Sequence, residues 1–216
     1  MVLVSGGWLQ GGVLKSQGLI NGARVRNRAE TGAGVRGAYY GRIDRYRRIR
    51  GDWSRGPASR TIGQTLKAGG EENGQIDNGT SGAPLYVEPN AMWVQLAAAG
   101  FIQGSYAGGA VAPTTINGVA PLNAFNNVMI LGRTDDFAGA PSARLDLVIG
   151  RGIPVDVMRE LDLKVDDQNP GAGDLRATPT DTAGAGFFGF IAQMTDTCTT
   201  VDGAGNPIWD IRSDTQ

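Results

Sequence analysis

Val35-Arg36-Gly37-Ala38-Tyr39-Tyr40-Gly41-Arg42-Ile43-Asp44-Arg45-Tyr46-Arg47-Arg48-Ile49-Arg50 places apolar residues (Val35, Ala38, Tyr39, Ile43, Tyr46, Ile49) three or four apart, with arginines between most of them. That is the spacing of one buried face of an α-helix. The pattern continues backward through Ala23, Ile20 and Leu19, so residues 15–50 are expected to form one amphipathic helix. Gly22, Gly32, Gly34, Gly37 and Gly41 work against it, each costing about 1 kcal/mol relative to alanine in a helix interior. A helix that keeps them needs neighbours packed closely enough to want small residues, or an irregular backbone at some of these positions.

Ahead of this helix, residues 1–14 carry no charge before Lys15. Fourteen helical residues reach only about 21 Å, short of the roughly 30 Å hydrocarbon core of a bilayer. No basic residue precedes the apolar run and no small-residue cleavage site closes it, so it does not read as a signal peptide. It reads as the trailing part of a longer hydrophobic helix. Residues 1–50 are thus expected to form an N-terminal spine, hydrophobic over 1–14 and amphipathic over 15–50, with residues 51–216 as a head domain.

Beyond the spine, residues 51–84 are rich in Gly, Ser, Thr, Asn and Pro with little periodicity, and are expected to be a long loop. Residues 90–99 suit a short helix with Asn90 near its N-cap and Gly100 at its C-terminal stop. A glycine-rich excursion follows over residues 104–121. Residues 127–131 and 144–149 have the Val, Ile and Leu content of strands, as do 174–177, 187–194 and 206–211. Pro154 is placed to open a helix running to about Val165 that buries Val157, Met158 and Leu161. A long helix first and short strands later, without βαβ alternation, predicts an α+β fold: a long N-terminal helix followed by a head with a short helix or two and an antiparallel β-sheet.

Composition removes much chemistry. The chain of 216 residues has no histidine and one cysteine, Cys198. That excludes an intrachain disulfide, a Cys/His zinc site and every Ser-His or Cys-His catalytic pair. Only carboxylate-pair chemistry, such as that of a glycosidase, stays open to an enzyme of this composition. Glycine is in excess, 34 of 216 residues, or about 16% against a usual figure near 7%. Charge is uneven: the first 60 residues hold 12 basic and three acidic residues, a balance of +9, which leaves 8 basic against 18 acidic and −10 for the rest. Such asymmetry can signal nucleic-acid or membrane contact. In a self-assembling protein it lets the basic part of one copy dock on the acidic part of another. No aromatic stacking platform or nucleic-acid motif accompanies the arginines, so no nucleic-acid partner is expected.

Several segments together resemble one family. Gly11-Gly12-Val13-Leu14-Lys15-Ser16-Gln17-Gly18-Leu19-Ile20-Asn21-Gly22-Ala23-Arg24-Val25 is similar to the exit of the N-terminal helix of type IV pilins and pseudopilins. Ala38-Tyr39-Tyr40-Gly41-Arg42-Ile43-Asp44-Arg45-Tyr46, leading to Arg50-Gly51-Asp52, resembles that helix's end and its Pro-Gly-Asp turn. Glu72-Asn73-Gly74-Gln75-Ile76, Trp93-Val94-Gln95-Leu96-Ala97-Ala98-Ala99-Gly100-Phe101-Ile102 and Leu161-Asp162-Leu163-Lys164-Val165-Asp166-Asp167-Gln168-Asn169-Pro170-Gly171-Ala172-Gly173-Asp174-Leu175-Arg176 resemble three later family elements, in the same order. The family's processed start, Phe-Thr-Leu-Ile-Glu, has no counterpart here, and Arg50 stands where proline is usual.

The resemblance implies a structural, non-enzymatic subunit of an extracellular type IV pilus-like filament on a bacterial surface, serving adhesion or motility. The expected partners are copies of itself in a helical homopolymer, the inner membrane before assembly and the pilus assembly machinery. Leu3, Val4, Leu9, Val13, Leu14 and Ile20 are the expected filament contacts; six buried aliphatic side chains are worth on the order of 10 kcal/mol before ordering costs. The loops 54–84 and 104–121 are expected to cover the shaft and make lateral contacts. Alternatives are a pseudopilin of a type II secretion system and a secreted surface- or carbohydrate-binding adhesin module.

Other motifs have bland readings. Gly79-Thr80-Ser81-Gly82-Ala83-Pro84 lacks a histidine partner for Ser81. Gly32-Ala33-Gly34-Val35-Arg36-Gly37 spells a dinucleotide-binding pattern but follows no strand. Arg50-Gly51-Asp52 spells a cell-attachment tripeptide at an expected helix-ending turn, and Asn78-Gly79-Thr80 is a glycosylation sequon. Two acidic loops offer oxygen ligands for a structural calcium, the one cofactor considered. Glu71, Glu72, Asn73, Gln75 and Asp77 form one; Asp162, Asp166, Asp167, Asn169 and Asp174 form the other.

Overall fold

A computed structural model describes residues 3–47, 51–76, 86–134, 144–149, 153–177, 199–201 and 207–209, with side chains in the first helix described from residue 22 onward except those of Arg24 and Arg28. The order of elements is α1 (Leu3–Tyr46), α2 (Arg55–Ile62), α3 (Val87–Ala98), β1 (Ile130–Thr134), β2 (Arg144–Val148), α4 (Val155–Val165), β3 (Thr199–Val201) and β4 (Pro207–Trp209). Strands pair antiparallel as β1 with β2 and β3 with β4, so the fold is α+β.

The expected apolar spine is not supported as such: polar and glycine residues are spread along α1, and no described helix is long and apolar enough to cross a membrane. The described buried side chains of α1 are Val25, Val35, Ala38, Tyr39 and Arg42. They serve two cores. Val35, Ala38 and Tyr39 meet Met92, Trp93 and Leu96 of α3 together with Val119, Met129 and Leu131. Val25 meets Val155, Val157, Met158 and Leu161 of α4 and Ile153. A third core joins Trp53, Ala58 and Leu66 to Ala91 and Val94 on the other side of α3. α1 ends at Tyr46, where Arg47 turns into the left-handed region (φ 54) while its N–H still bonds Ile43 O at 2.7 Å.

The expected loop over residues 51–84 contains α2. Pro57 sits in its first turn, where its missing N–H costs nothing, and Gly63, at φ 77, closes it. Its eight residues bury only Ala58, so no apolar period announced it. α3 starts earlier than expected, after Tyr86, and Asn90 is not its N-cap. Asn90 lies inside the helix, fully buried, and its side-chain amide donates to Gly109 O (2.8 Å) and Val111 O (2.9 Å), tying down the glycine-rich excursion. Gly100 does end α3: at φ 75 it bonds Ala97 O while Phe101 N–H reaches Leu96 O, the paired bonds of a Schellman motif. α4 follows Pro154 and buries Val157, Met158 and Leu161, as its periodicity predicts.

β1 lies three residues beyond the expected strand. Asn123 Oδ1 accepts the N–H groups of Phe125 (2.7 Å) and Asn127 (3.0 Å), closing a turn where the strand was expected to begin. Residues 174–177 form no strand: the N–H groups of Asp174 and Leu175 donate to the Asp166 carboxylate, and that of Ala177 to Pro170 O, so three of the four are turned inward to the loop and not to a ladder. The expected strand over 187–194 lies outside the described residues, and of that over 206–211 the described part, Pro207–Trp209, is β4.

Candidate functional site

The acidic loop after α4 is the candidate that sequence and structure share. Asp162, on the last turn of α4, is fully buried. Asp166 follows as the C-cap and Asp167 one residue later. One carboxylate oxygen from each lies within 4.8 Å of the others. Of the four aspartates expected to hold calcium, these three converge and Asp174 is not among them. Asn169 Oδ1 accepts from Gly171 N–H (3.0 Å), and Asp174 contributes its backbone N–H to Asp166. Asp167 Oδ1 accepts from Asn169 N–H (2.8 Å), and Arg176 Nε donates to Gly173 O (2.8 Å). Gly173 stands at φ 68 with the Asp166 carboxylate filling the place of a Cβ. The loop therefore closes on its own hydrogen bonds, and in chemical terms the arrangement offers three hard oxygen ligands.

The other acidic loop is a structural junction. Asp52 is buried, and its carboxylate accepts the N–H groups of Asn73 (2.6 Å) and Gly74 (2.8 Å) while its carbonyl accepts that of Glu72 (2.8 Å). Glu72 Oε1 takes the Ser54 hydroxyl (2.6 Å), and Glu88 Oε1 takes Glu71 N–H (3.1 Å). Gln95, fully buried on α3, donates to Trp53 O (2.8 Å). The helix-ending turn, the loop after α2 and α3 are thus knitted by side chains distant in sequence. This agrees with the helix-ending-turn reading of Gly51-Asp52 and not with an attachment site: the Asp52 carboxylate is buried and already accepts two N–H groups. The dinucleotide pattern at Gly32–Gly37 lies wholly within α1, with no strand before it. The serine motif over 79–84 and the sequon at Asn78 lie outside the described residues, as do Asp77 and the side chains of Leu3, Val4, Leu9, Val13, Leu14 and Ile20.

Sequence reasoning missed Arg42. Its guanidinium is fully buried, 5.3 Å from the Tyr46 ring centroid and 5.8 Å from that of Trp53, and its three nitrogens have no hydrogen-bond acceptor among the described residues. Burial pushes its pKa down to about 10, against a smaller upward pull from Tyr46. The signal was its position: Arg42 stands four residues from Ala38 and four from Tyr46, on the apolar stripe and not between stripes. The folded state sheds this proton more readily than the unfolded chain, so Arg42 weakens folding below pH 10 and less so as pH rises through the lowered value. Arg42→Met, which keeps the packing volume and removes the buried charge, is expected to stabilise the protein by about 1 kcal/mol at pH 7. Parallel thermal melts of both proteins check this; a lower melting temperature for the variant would show that the ring contacts outweigh the burial cost.

No protein-family model matches the chain, and no curated protein or solved structure is significantly similar to it.

Proposed function

We propose that this chain is the structural subunit of a type IV pilus-like extracellular filament, polymerising through the N-terminal part of α1. The observation that carries the reading is the division along α1. Its described buried apolar side chains, Val25, Val35, Ala38 and Tyr39, are taken up by the chain's own cores. The uncharged run over residues 1–14 precedes them with Leu3, Val4, Leu9, Val13 and Leu14 as apolar positions. Apolar residues that a protein's own core does not take up have low free energy only against lipid or against copies of themselves. The head then presents α2, the 104–121 excursion and the acidic loop outward. The motif resemblance supports the same reading, including inner-membrane residence before assembly and no catalysis by the subunit.

Electron microscopy of the surface-sheared fraction from source cells tests this. Thin filaments with this chain as the repeating unit are the expected result. Val13→Asp should abolish them while leaving the thermal melt of the head within about 2 °C, because a buried charge without a partner costs several kcal/mol per subunit contact. A soluble monomer that binds glycans would instead place the chain among secreted adhesin modules.

A further inference from the structure

The sheet formed by β1 and β2 is closed on one side and open on the other. On β1, Arg133 N–H donates to Ile76 O at 2.8 Å, so the outer edge of β1 is taken at this point by Ile76. In an antiparallel ladder the N–H and C=O of one residue point to the same side, and that side alternates along the strand. Arg133 therefore turns both groups away from β2. Its partner Leu145 turns both away from β1, as does Leu147 opposite Leu131, while the pairs Ile130–Val148, Gly132–Asp146 and Thr134–Arg144 carry the ladder. Neither the Leu145 nor the Leu147 N–H has an acceptor among the described residues. The open stretch stops at Ile149, whose C=O accepts from Asn123 Nδ2 at 3.0 Å. A strand edge with unpaired backbone groups is a template for another strand.

The side chains along this edge choose the partner. Arg144 is exposed, and Asp146, on the same face, is half-buried, its Oδ2 enclosed without a donor among the described residues. Burial raises the Asp146 pKa against opposing pulls from Arg144 and Arg176, so a further cation beside it is favourable. Leu145 projects from the other face and is 37% exposed. When β2 meets a second β2 antiparallel, hydrogen-bonded pairs can form only between residues whose N–H groups point outward. Three registers follow: Leu145 on Leu145, Leu145 on Leu147, or Leu147 on Leu147. In the first, Arg144 of each strand stands opposite Asp146 of the other, in the closer, non-hydrogen-bonded kind of pair. The second sets Asp146 opposite Asp146, and like charges directly opposite are destabilising. The third sets Asp146 opposite Val148 and leaves both charges unmatched.

We propose that the outer edge of β2 pairs antiparallel with the same edge of a second copy of this chain, centred on Leu145, with Arg144 of each copy against Asp146 of the other. A continuous sheet β1-β2-β2-β1 then runs across two molecules, with the Leu145 pair exchanging N–H···O bonds in both directions. The contact goes beyond the filament reading and does not rest on it. It is isologous, so it closes as a pair and does not propagate. On a filament it links the heads of two filaments and not successive subunits of one. Each pair is small and therefore weak, but pairs repeated along two filaments add through multivalency.

The test is sedimentation equilibrium of the full chain carrying Val13→Asp, over a range of concentrations. A monomer–dimer equilibrium is expected, with hydrogen-exchange protection of the Leu145 amide that grows with concentration. Adding Arg144→Glu turns both cross-strand ion pairs into like-charge pairs and is expected to raise the dissociation constant about tenfold. Mixing that variant with an Asp146→Arg chain should restore the dimer, since every cross-strand pair is again of opposite sign. Asp146→Arg alters a half-buried side chain, so Leu145→Pro supplies a test that does not depend on it. The N–H it removes points away from β1, so the dimer should be lost while the melting temperature stays within about 3 °C. A chain that is monomeric at every concentration, or a dimer that survives Arg144→Glu or Leu145→Pro unchanged, would overturn the proposal. Leu145 protection that is independent of concentration in a monomer would overturn it too, by showing a segment of the same chain on this edge. None of these outcomes bears on the filament reading, which microscopy of the wild-type chain decides.

Discussion

Trp93→Ala is expected to lower the stability of the head by about 3–5 kcal/mol, the largest single effect in the molecule. Trp93 is fully buried on α3, and the core around it is where α1, α3 and β1 meet: Val35, Ala38 and Tyr39 from α1, Met92 and Leu96 from α3, and Leu131 from β1. Its ring also lies 6.4 Å from that of Tyr106, at the edge of the third core. Removing the indole opens a cavity bordered by three elements that cannot all relax into it, because each is pinned by another contact. Asn90 holds the 104–121 excursion, Gln95 holds the 51–53 turn, and β1 is laddered to β2. Chemical denaturation followed by far-ultraviolet circular dichroism measures the loss. The melting temperature should fall by about 10 °C. Trp93→Phe, which leaves a smaller void, should lose clearly less; equal losses would mean that the indole is not held at the junction described.

The second large effect concerns the turn after α1. Asp52→Ala removes an acceptor of two charge-assisted hydrogen bonds, from Asn73 and Gly74. Hydrogen bonds to a charged group are worth about 1.5–3 kcal/mol each where water is excluded. Asp52 is buried, but Asn73 and Gly74 border solvent and can rehydrate, so a net loss of about 3 kcal/mol is expected. The neighbouring backbone leaves no room for a substitute arrangement. At Gly51, which stands at φ 79, a Cβ would meet Glu88 O at 2.5 Å, and at Gly70 it would overlap the backbone of Gly51 and Asp52. Asp52→Asn should recover part of the loss, since its amide oxygen still accepts one N–H while its NH2 group faces a second donor. If the alanine variant is as stable as wild type, the carboxylate is not what joins the turn to the 71–74 loop.

Within α4 and the end of α3 the local pattern sufficed. Val157, Met158 and Leu161 recur at helical spacing after a proline that can open a helix, and Gly100 supplies the positive φ that a Schellman stop requires. The α+β class followed from the order of such elements. Periodicity failed where side chains compete with the backbone for hydrogen bonds. Asn123 closes a turn that pushes β1 three residues on, and Asp166 takes the N–H groups that a strand over 174–177 would have needed. It also failed for α2, whose short span buries one alanine and so carries no apolar rhythm.

The candidate loop divides along the same line. That Asp162, Asp166 and Asp167 draw together is legible from their crowding at a helix end, whereas the absence of Asp174 from that group depends on how the loop folds back through Gly173. Arg42 and Asp52 mark the limit most clearly. In the sequence one is an arginine among arginines and the other ends an attachment tripeptide; in the fold one is buried against Tyr46 and Trp53 and the other is spent on Asn73 and Gly74. Helical rhythm, uncharged runs and charge asymmetry are properties of neighbouring residues, so they can be read along the chain. Which polar groups are enclosed depends on contacts between segments 22 and 42 residues apart, Asp52 with Gly74 and Gln95 with Trp53, and only packing brings those segments together.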